Sequence, residues 1–257
     1  MRYAVLADVH ANLPALEAVL DDVAKRRVDA YLVAGDLVGY GPFPNECVER
    51  IAALGATCVV GNHEEMLLGR LGEERCITLG RTSLAWTRTV LRDDVRAYLE
   101  ALPSSAEVEG GLVMAHGTLD HAWEYTTRGV EGAAQLALLE QRHPGAGFLV
   151  LGHTHRPFAC DRHAHVLSVR PGAALALPDP VLLNPGAVGQ SREPRVRARY
   201  AVLDTEQRTA TFHAVRYDTG TCRAELRRNG LSERSYHLRP TAREKLGRLA
   251  RAAGVRR

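Results

Sequence analysis

Five short apolar runs in this chain each break off at residues suited to holding a metal ion. Residues 2–7 lead into Asp8-Val9-His10, residues 31–34 into Gly35-Asp36, and residues 57–60 into Gly61-Asn62-His63-Glu64. Residues 112–115 lead into His116-Gly117, and residues 148–151 into Gly152-His153-Thr154-His155. The donors are imidazole nitrogens and carboxylate or amide oxygens, with no thiolate among them. Such a set suits borderline divalent ions: Mn²⁺, Fe²⁺, Zn²⁺, Co²⁺ or Ni²⁺. Asp8, His10, Asp36, Asn62, His116, His153 and His155 are more ligands than one ion takes. Two ions about 3.5–4 Å apart, sharing one carboxylate, would use them all. A single strand-end Asp usually caps a helix, and a lone His is usually structural. Recurrence at five strand ends is what carries the inference.

The intervening segments have to bring those ends together. Asn12 is placed to cap a helix, Pro14 fits its first turn, and Leu13, Leu16, Leu20, Val23 and Ala24 form its apolar stripe. A second helix is predicted over 46–54 and another over 130–141. Strands alternating with helices imply crossovers and a largely parallel sheet, and in open α/β sheets ligands bind beyond the strands' carboxyl ends. Residues 65–102 read as an inserted pair or trio of helices that could roof the site. Beyond 155, β segments are expected at 164–169, 181–183, 200–204 and 209–215, suiting a second, more antiparallel sheet packed on the first. The expected organisation is one domain over 1–222 and a basic, helical extension over 223–257.

Composition narrows the classes. The chain is 46% hydrophobic and 25% charged, as in ordinary globular proteins. No apolar run approaches the ~18 residues that span a bilayer, and the chain enters a strand at once without a signal-peptide layout. A cytoplasmic protein without membrane partners is the expectation. The cysteines Cys47, Cys58, Cys76, Cys160 and Cys222 are scattered, with no Cys-x-x-Cys pair, so reduced thiols are expected rather than a disulfide framework or zinc knuckle. The net charge of +3 is unevenly spread: residues 223–257 hold 11 Lys+Arg against 3 Asp+Glu, a net of +8, leaving −5 for the rest. That tail permits a nucleic-acid partner but lacks interleaved aromatics for stacking bases, so a solvated helix is favoured. The loop 184–190 is Gly-rich, but no Gly-Lys-Ser/Thr follows it, so it is not a nucleotide P-loop. It could still line the site.

Taken in order, Asp8-x-His10, Gly35-Asp36, Gly61-Asn62-His63-Glu64, His116-Gly117 and Gly152-His153-Thr154-His155 resemble the five motifs of the calcineurin-like metallophosphoesterase superfamily. Asp8–Pro14, Gly39-Tyr40-Gly41-Pro42 and Asn184-Pro185-Gly186 are similar to its compact bacterial and archaeal, phosphodiesterase-like branch. The resemblance implies a four-layer α/β/β/α sandwich of two mixed sheets flanked by helices. It implies two divalent metal ions (Mn²⁺, Fe²⁺/Fe³⁺, Zn²⁺, Ni²⁺ or Co²⁺). Asp8, His10 and His155 would hold one ion, Asn62, His116 and His153 the other, and Asp36 would bridge. Activity would be hydrolysis of small phosphate esters by a metal-activated hydroxide. His63 would protonate the leaving oxygen or stabilise developing charge, with Glu64 or Asp36 orienting its ring.

One departure bears on substrate. The superfamily's protein phosphatases carry arginines directly after the bridging Asp and the third-motif His, where this chain has Leu37 and Glu64. Without those forks the expectation moves toward phosphodiesters of small or nucleotide type, ahead of phosphomonoesters, phosphoproteins, polynucleotides or an inactive binding scaffold. Arg128 or Arg156 could substitute as a phosphate anchor. Asn12 and Tyr125 are candidate substrate contacts, His121 a weaker one, and His163-Ala164-His165 is expected at the surface.

Overall fold

The structure, a computed structural model, describes residues 1–239. The chain runs β1 (Arg2–Leu6), α1 (Leu13–Val23), β2 (Ala30–Val33), α2 (Pro44–Ala53), β3 (Thr57–Cys58), α3 (Asn62–Leu67), α4 (Thr78–Val90), α5 (Asp93–Glu100) and β4 (Ser105–Val108). It continues with β5 (Leu112–Ala115), α6 (Gly129–Arg142), β6 (Phe148–Val150), β7 (Pro157–Asp161), β8 (Ala174–Ala176), β9 (Val181–Pro185), β10 (Ala198–Asp204), β11 (Thr209–Val215) and α7 (Thr219–Arg228). The strands form two sheets, ordered β3-β2-β1-β10-β11-β8 and β4-β5-β6-β9-β7.

Side-chain alternation along the strands sets the layers. On β1, Ala4 and Leu6 face α1 and α2, while Tyr3 and Val5 face the other sheet. On β5 and β6, Leu112, Met114, Phe148 and Val150 meet them from across, and Val113, Ala115 and Leu149 turn to Leu136 and Leu139 of α6. The order is therefore helices, sheet, sheet, helix, as expected of a mixed α/β sandwich. Both sheets are mixed: β1 runs parallel to β2 and antiparallel to β10, while β6 runs parallel to β5 and β9, which pair antiparallel with β4 and β7. Among the described residues no helix is long and apolar enough to cross a membrane.

Three expectations need correction. The ligand-bearing strands do not share one sheet: β1, β2 and β3 lie in one, β5 and β6 in the other. Likewise β10 and β11 pair onto β1 instead of building a separate antiparallel sheet. Residues 164–169 are not a strand; only an isolated bridge joins Val166 to Cys160. The cause is local: the Asp161 carboxylate accepts the amides of His163 and His165, both at 2.9 Å, which curls the chain into a turn and leaves Val166 59% exposed. Helix α7 runs across the position at 222/223 where an extension was expected, and residues 240–257 of that extension lie outside the described residues.

Candidate active site and metal centre

The five strand-end loops meet where the two sheets face each other. Backbone hydrogen bonds stitch them: Asp8 N–H donates to Gly35 O (3.0 Å), His10 N–H to Asp36 O (2.9 Å), and Gly152 N–H to His116 O (2.7 Å). The Asp8 carboxylate joins the sheets by accepting the amide of His153 at 3.0 Å. Asp36 accepts the amide of His63 at 2.9 Å. Five of the candidate ligands sit in the left-handed region, with φ of 54° at Asp8, 47° at His10, 55° at Asp36, 65° at His153 and 59° at His155. For a residue with a Cβ that conformation costs roughly 1–2 kcal/mol, and such strain concentrates at functional sites. Only glycine fits beside Asp36: a Cβ on Gly61 would lie 2.2 Å from Asp36 Oδ1.

All seven candidate ligands are brought together, and all are buried. Asp8, His10, Asp36 and His155 offer ligand atoms within 4.8 Å of one another, as do Asp36, His116 and His153. Asp36 is common to both groups. Asn62 adjoins the second, its Oδ1 3.1 Å from His116 Nε2.

The hydrogen bonds show which atoms are aimed inward. His10 Nδ1 donates to Val38 O (3.0 Å) and His155 Nδ1 to Gln190 O (2.7 Å), so in the neutral rings both Nε2 atoms carry lone pairs. Those two atoms face each other at 3.1 Å. Burial drives both imidazoles well below the ordinary histidine range, so neither supplies a bridging proton. Two lone pairs at that distance repel unless a cation stands against both. Asp8 Oδ2 and His153 Nε2 are likewise buried without a protein partner. Burial pushes Asp8 up to about 7, His116 opposing and Asp36 adding to the rise. His116 is raised to about 9: burial opposes, but the charge of Asp36 prevails. The residues thus fit divalent metal, with Asp36 common to both groups of ligand atoms.

The cluster opens into a cavity of about 780 Å³. His63 lines it, its ring packed against those of His10 and Tyr40, each with centroids 4.7 Å away. A Cβ on Gly39 would lie 2.2 Å from His63 Nδ1, so that ring position also requires glycine. Tyr125 stacks on His153 with centroids 4.0 Å apart. The connection between α3 and α4, not α5, forms the near wall through Leu71, Gly72 and Cys76. The expected roof is therefore smaller than the insert.

The family profile for calcineurin-like phosphoesterases matches residues 1–169. The chain belongs to that family. An uncharacterized protein of Methanocaldococcus jannaschii is 31% identical over 235 residues, covering 90% of this chain and 93% of its own. A metallophosphoesterase from Sphaerobacter thermophilus has a TM-score of 0.79 at 34% identity, covering 92% of this chain and 96% of that one. The Pyrococcus horikoshii protein PH1004, with a TM-score of 0.76, covers 91% and 96%; at 18% identity its likeness concerns the fold alone.

Other site expectations fare unevenly in this calcineurin-like phosphoesterase. Glu64 does not orient the His63 ring. Its buried carboxylate accepts the amides of Asp36 (2.9 Å), Val38 (3.0 Å) and Gly61 (2.8 Å), fastening two ligand loops together. Asn12 does not line the cavity: it caps α1 through Ala15 N–H and donates to Gly189 O at 2.7 Å. Arg128 is exposed in an ion pair with Glu131 at the start of α6. His121 stacks on Trp123, and His165 pairs with Asp161 at the surface. Residues that sequence reasoning missed include Tyr40, with φ of 61°, and Arg192, both lining the cavity. The unusual Gly39-Tyr40-Gly41 spacing signalled the first; nothing local signalled the second.

Proposed function

We propose that the protein is a dinuclear-metal phosphoesterase acting on small phosphate esters, phosphodiesters first. The observation that carries the reading is the facing pair of His10 and His155 Nε2 atoms, with Asp36 shared by both ligand groups. Bound there, two cations would neutralise phosphoryl oxygens and lower the pKa of a water toward neutrality for attack on phosphorus. The chain's own contribution is placement. Glu64 and the left-handed loops fix the donors before substrate arrives, so no reorganisation is needed as charge develops. Burial holds His63 down near 4, so without substrate its ring is neutral at pH 7. A neutral ring serves as an N–H donor to the phosphoryl or leaving oxygen, the second of the two roles expected for it.

The diester preference rests on Leu37 and Glu64 standing where phosphatase arginines would be, and on the aromatic wall of Trp123 and Tyr125. Arg192 in the cavity favours a second reading, a phosphomonoesterase. Turnover of bis-p-nitrophenyl phosphate against p-nitrophenyl phosphate, after reconstitution with Mn²⁺, separates them. Faster diester turnover is expected; no hydrolysis of either ester with any of the candidate ions contradicts both readings. His63→Ala should keep both ions and lose roughly 10²- to 10³-fold in kcat, the range for one hydrogen-bond donor to developing charge. Loss of metal in that variant would contradict the role given to His63.

A further inference from the structure

The cavity wall facing the ligand cluster comes from outside the five motifs. Gln190, Ser191 and Arg192 follow the loop after β9, and the segment 235–239 zips onto them. Ser191 N–H donates to Tyr236 O (3.2 Å), and Leu238 N–H donates to Ser191 O (3.0 Å). The same short stretch does two jobs. The Gln190 carbonyl fixes the His155 ring, and the Gln190 side chain accepts Arg192 Nε at 3.1 Å.

Arg192 is placed unlike its neighbours. Arg199 is tied to Glu193 by two bonds, at 2.6 and 2.9 Å, and Arg88 pairs with Glu73. The partners of Arg192 are neutral: Gln190 Oε1, and the Tyr125 hydroxyl at 3.5 Å from Nη1. Among the described residues no carboxylate lies within ion-pair distance of it, and Nη2 makes no hydrogen bond. It lines the same cavity as Asp36, Asn62, His63, His153 and His155. A half-buried guanidinium without a counter-ion, beside a site built for cations, is costly unless an anion comes between them.

We propose that Arg192 is the anion clamp of this cavity, holding a nonbridging oxygen of the phosphoryl group seated at the metal cluster. It comes from the C-terminal third of the chain, away from the positions of Leu37 and Glu64. The inference rests on the phosphoesterase reading and names the residue that grips the substrate's charge. Tetrahedral phosphate oxyanions are the ligand class, since a planar fork matches two of their oxygens.

The test is calorimetric titration of inorganic phosphate into the Mn²⁺-reconstituted full chain. For Arg192→Ala the phosphate Kd should rise roughly 10- to 100-fold, the range of one charge-assisted pair. Manganese content should be unchanged. Arg192→Lys should recover part of the loss, because it keeps the charge without the fork. Wild-type phosphate affinity in Arg192→Ala, with or without a lower Tm, overturns the proposal and leaves the residue a brace for Tyr125. If the alanine variant does not fold, Arg192→Gln takes its place: weakened phosphate binding supports the clamp, unchanged binding overturns it. Ester turnover is followed in parallel. A wild-type protein that binds phosphate but hydrolyses no ester overturns the enzymatic reading and leaves the clamp standing. An active variant with wild-type phosphate affinity overturns the clamp alone.

Discussion

The two faces of the cavity are built on opposite plans. The metal-facing side is deeply buried and strained, and a backbone hydrogen bond fixes the side chain of each of Asp8, His10, Asp36, His116 and His155. Its pieces come from residues 8–155, inside the stretch that the family profile matches. The opposite wall is half-open and cationic, with Arg192, Arg234 and Arg239 on short segments after residue 169. The first plan suits chemistry that tolerates little misplacement; the second suits recognition, where a side chain can change without disturbing the fold. On this view the family's common part activates water, and the C-terminal third of this chain chooses the ester.

The strongest way to separate the two plans is to remove one support from each. Glu64→Ala would leave three buried amides, those of Asp36, Val38 and Gly61, without an acceptor. At about 1–3 kcal/mol for each orphaned group, several kcal/mol of stability should be lost. In a chain of this size that is a fall of roughly 10 °C in Tm, with weakened metal binding. Arg234→Ala, exposed on the wall, should stay within about 0.5 kcal/mol of wild type. Equal Tm changes in the two variants would erase the distinction.

That contrast also explains what could be read from the residues alone. Strand ends were legible because a short apolar run closed by Asp, Asn or His is a local pattern. The layering was legible only through the resemblance to the family, and the alternation of Tyr3, Ala4, Val5 and Leu6 between the two cores accounts for it. The division of the ligand strands between two sheets was not legible, because it depends on β10 pairing with β1 from about 200 residues away. Glu64 was misread for the same reason: two of its three amides belong to a loop 26 to 28 residues upstream. Arg192 had no local signature. It is one arginine in a chain whose 33 basic residues include only two lysines, Lys25 and Lys245.

A smaller effect lies away from both faces and serves as a control on them. His213 stacks on Tyr200 at 4.7 Å, its Nε2 without a partner, and burial lowers it from 6.5 to about 4. The fold therefore favours the neutral ring. Its contribution is complete above pH 6.5 and is lost as pH falls from there through about 4. In metal-free protein, His213→Gln should narrow the Tm gap between pH 7 and pH 5. A gap as wide as that of wild type would show that acid sensitivity in this range comes from the metal-facing cluster instead.

The central claim, that distant loops converge to hold two cations around Asp36, is tested most directly by counting them. Elemental analysis after Mn²⁺ reconstitution and removal of free metal should give two ions per chain for the wild type, with both sites weakened in Asp36→Ala. A wild-type chain that holds one ion or none, or an Asp36→Ala chain that still holds two, would contradict the account.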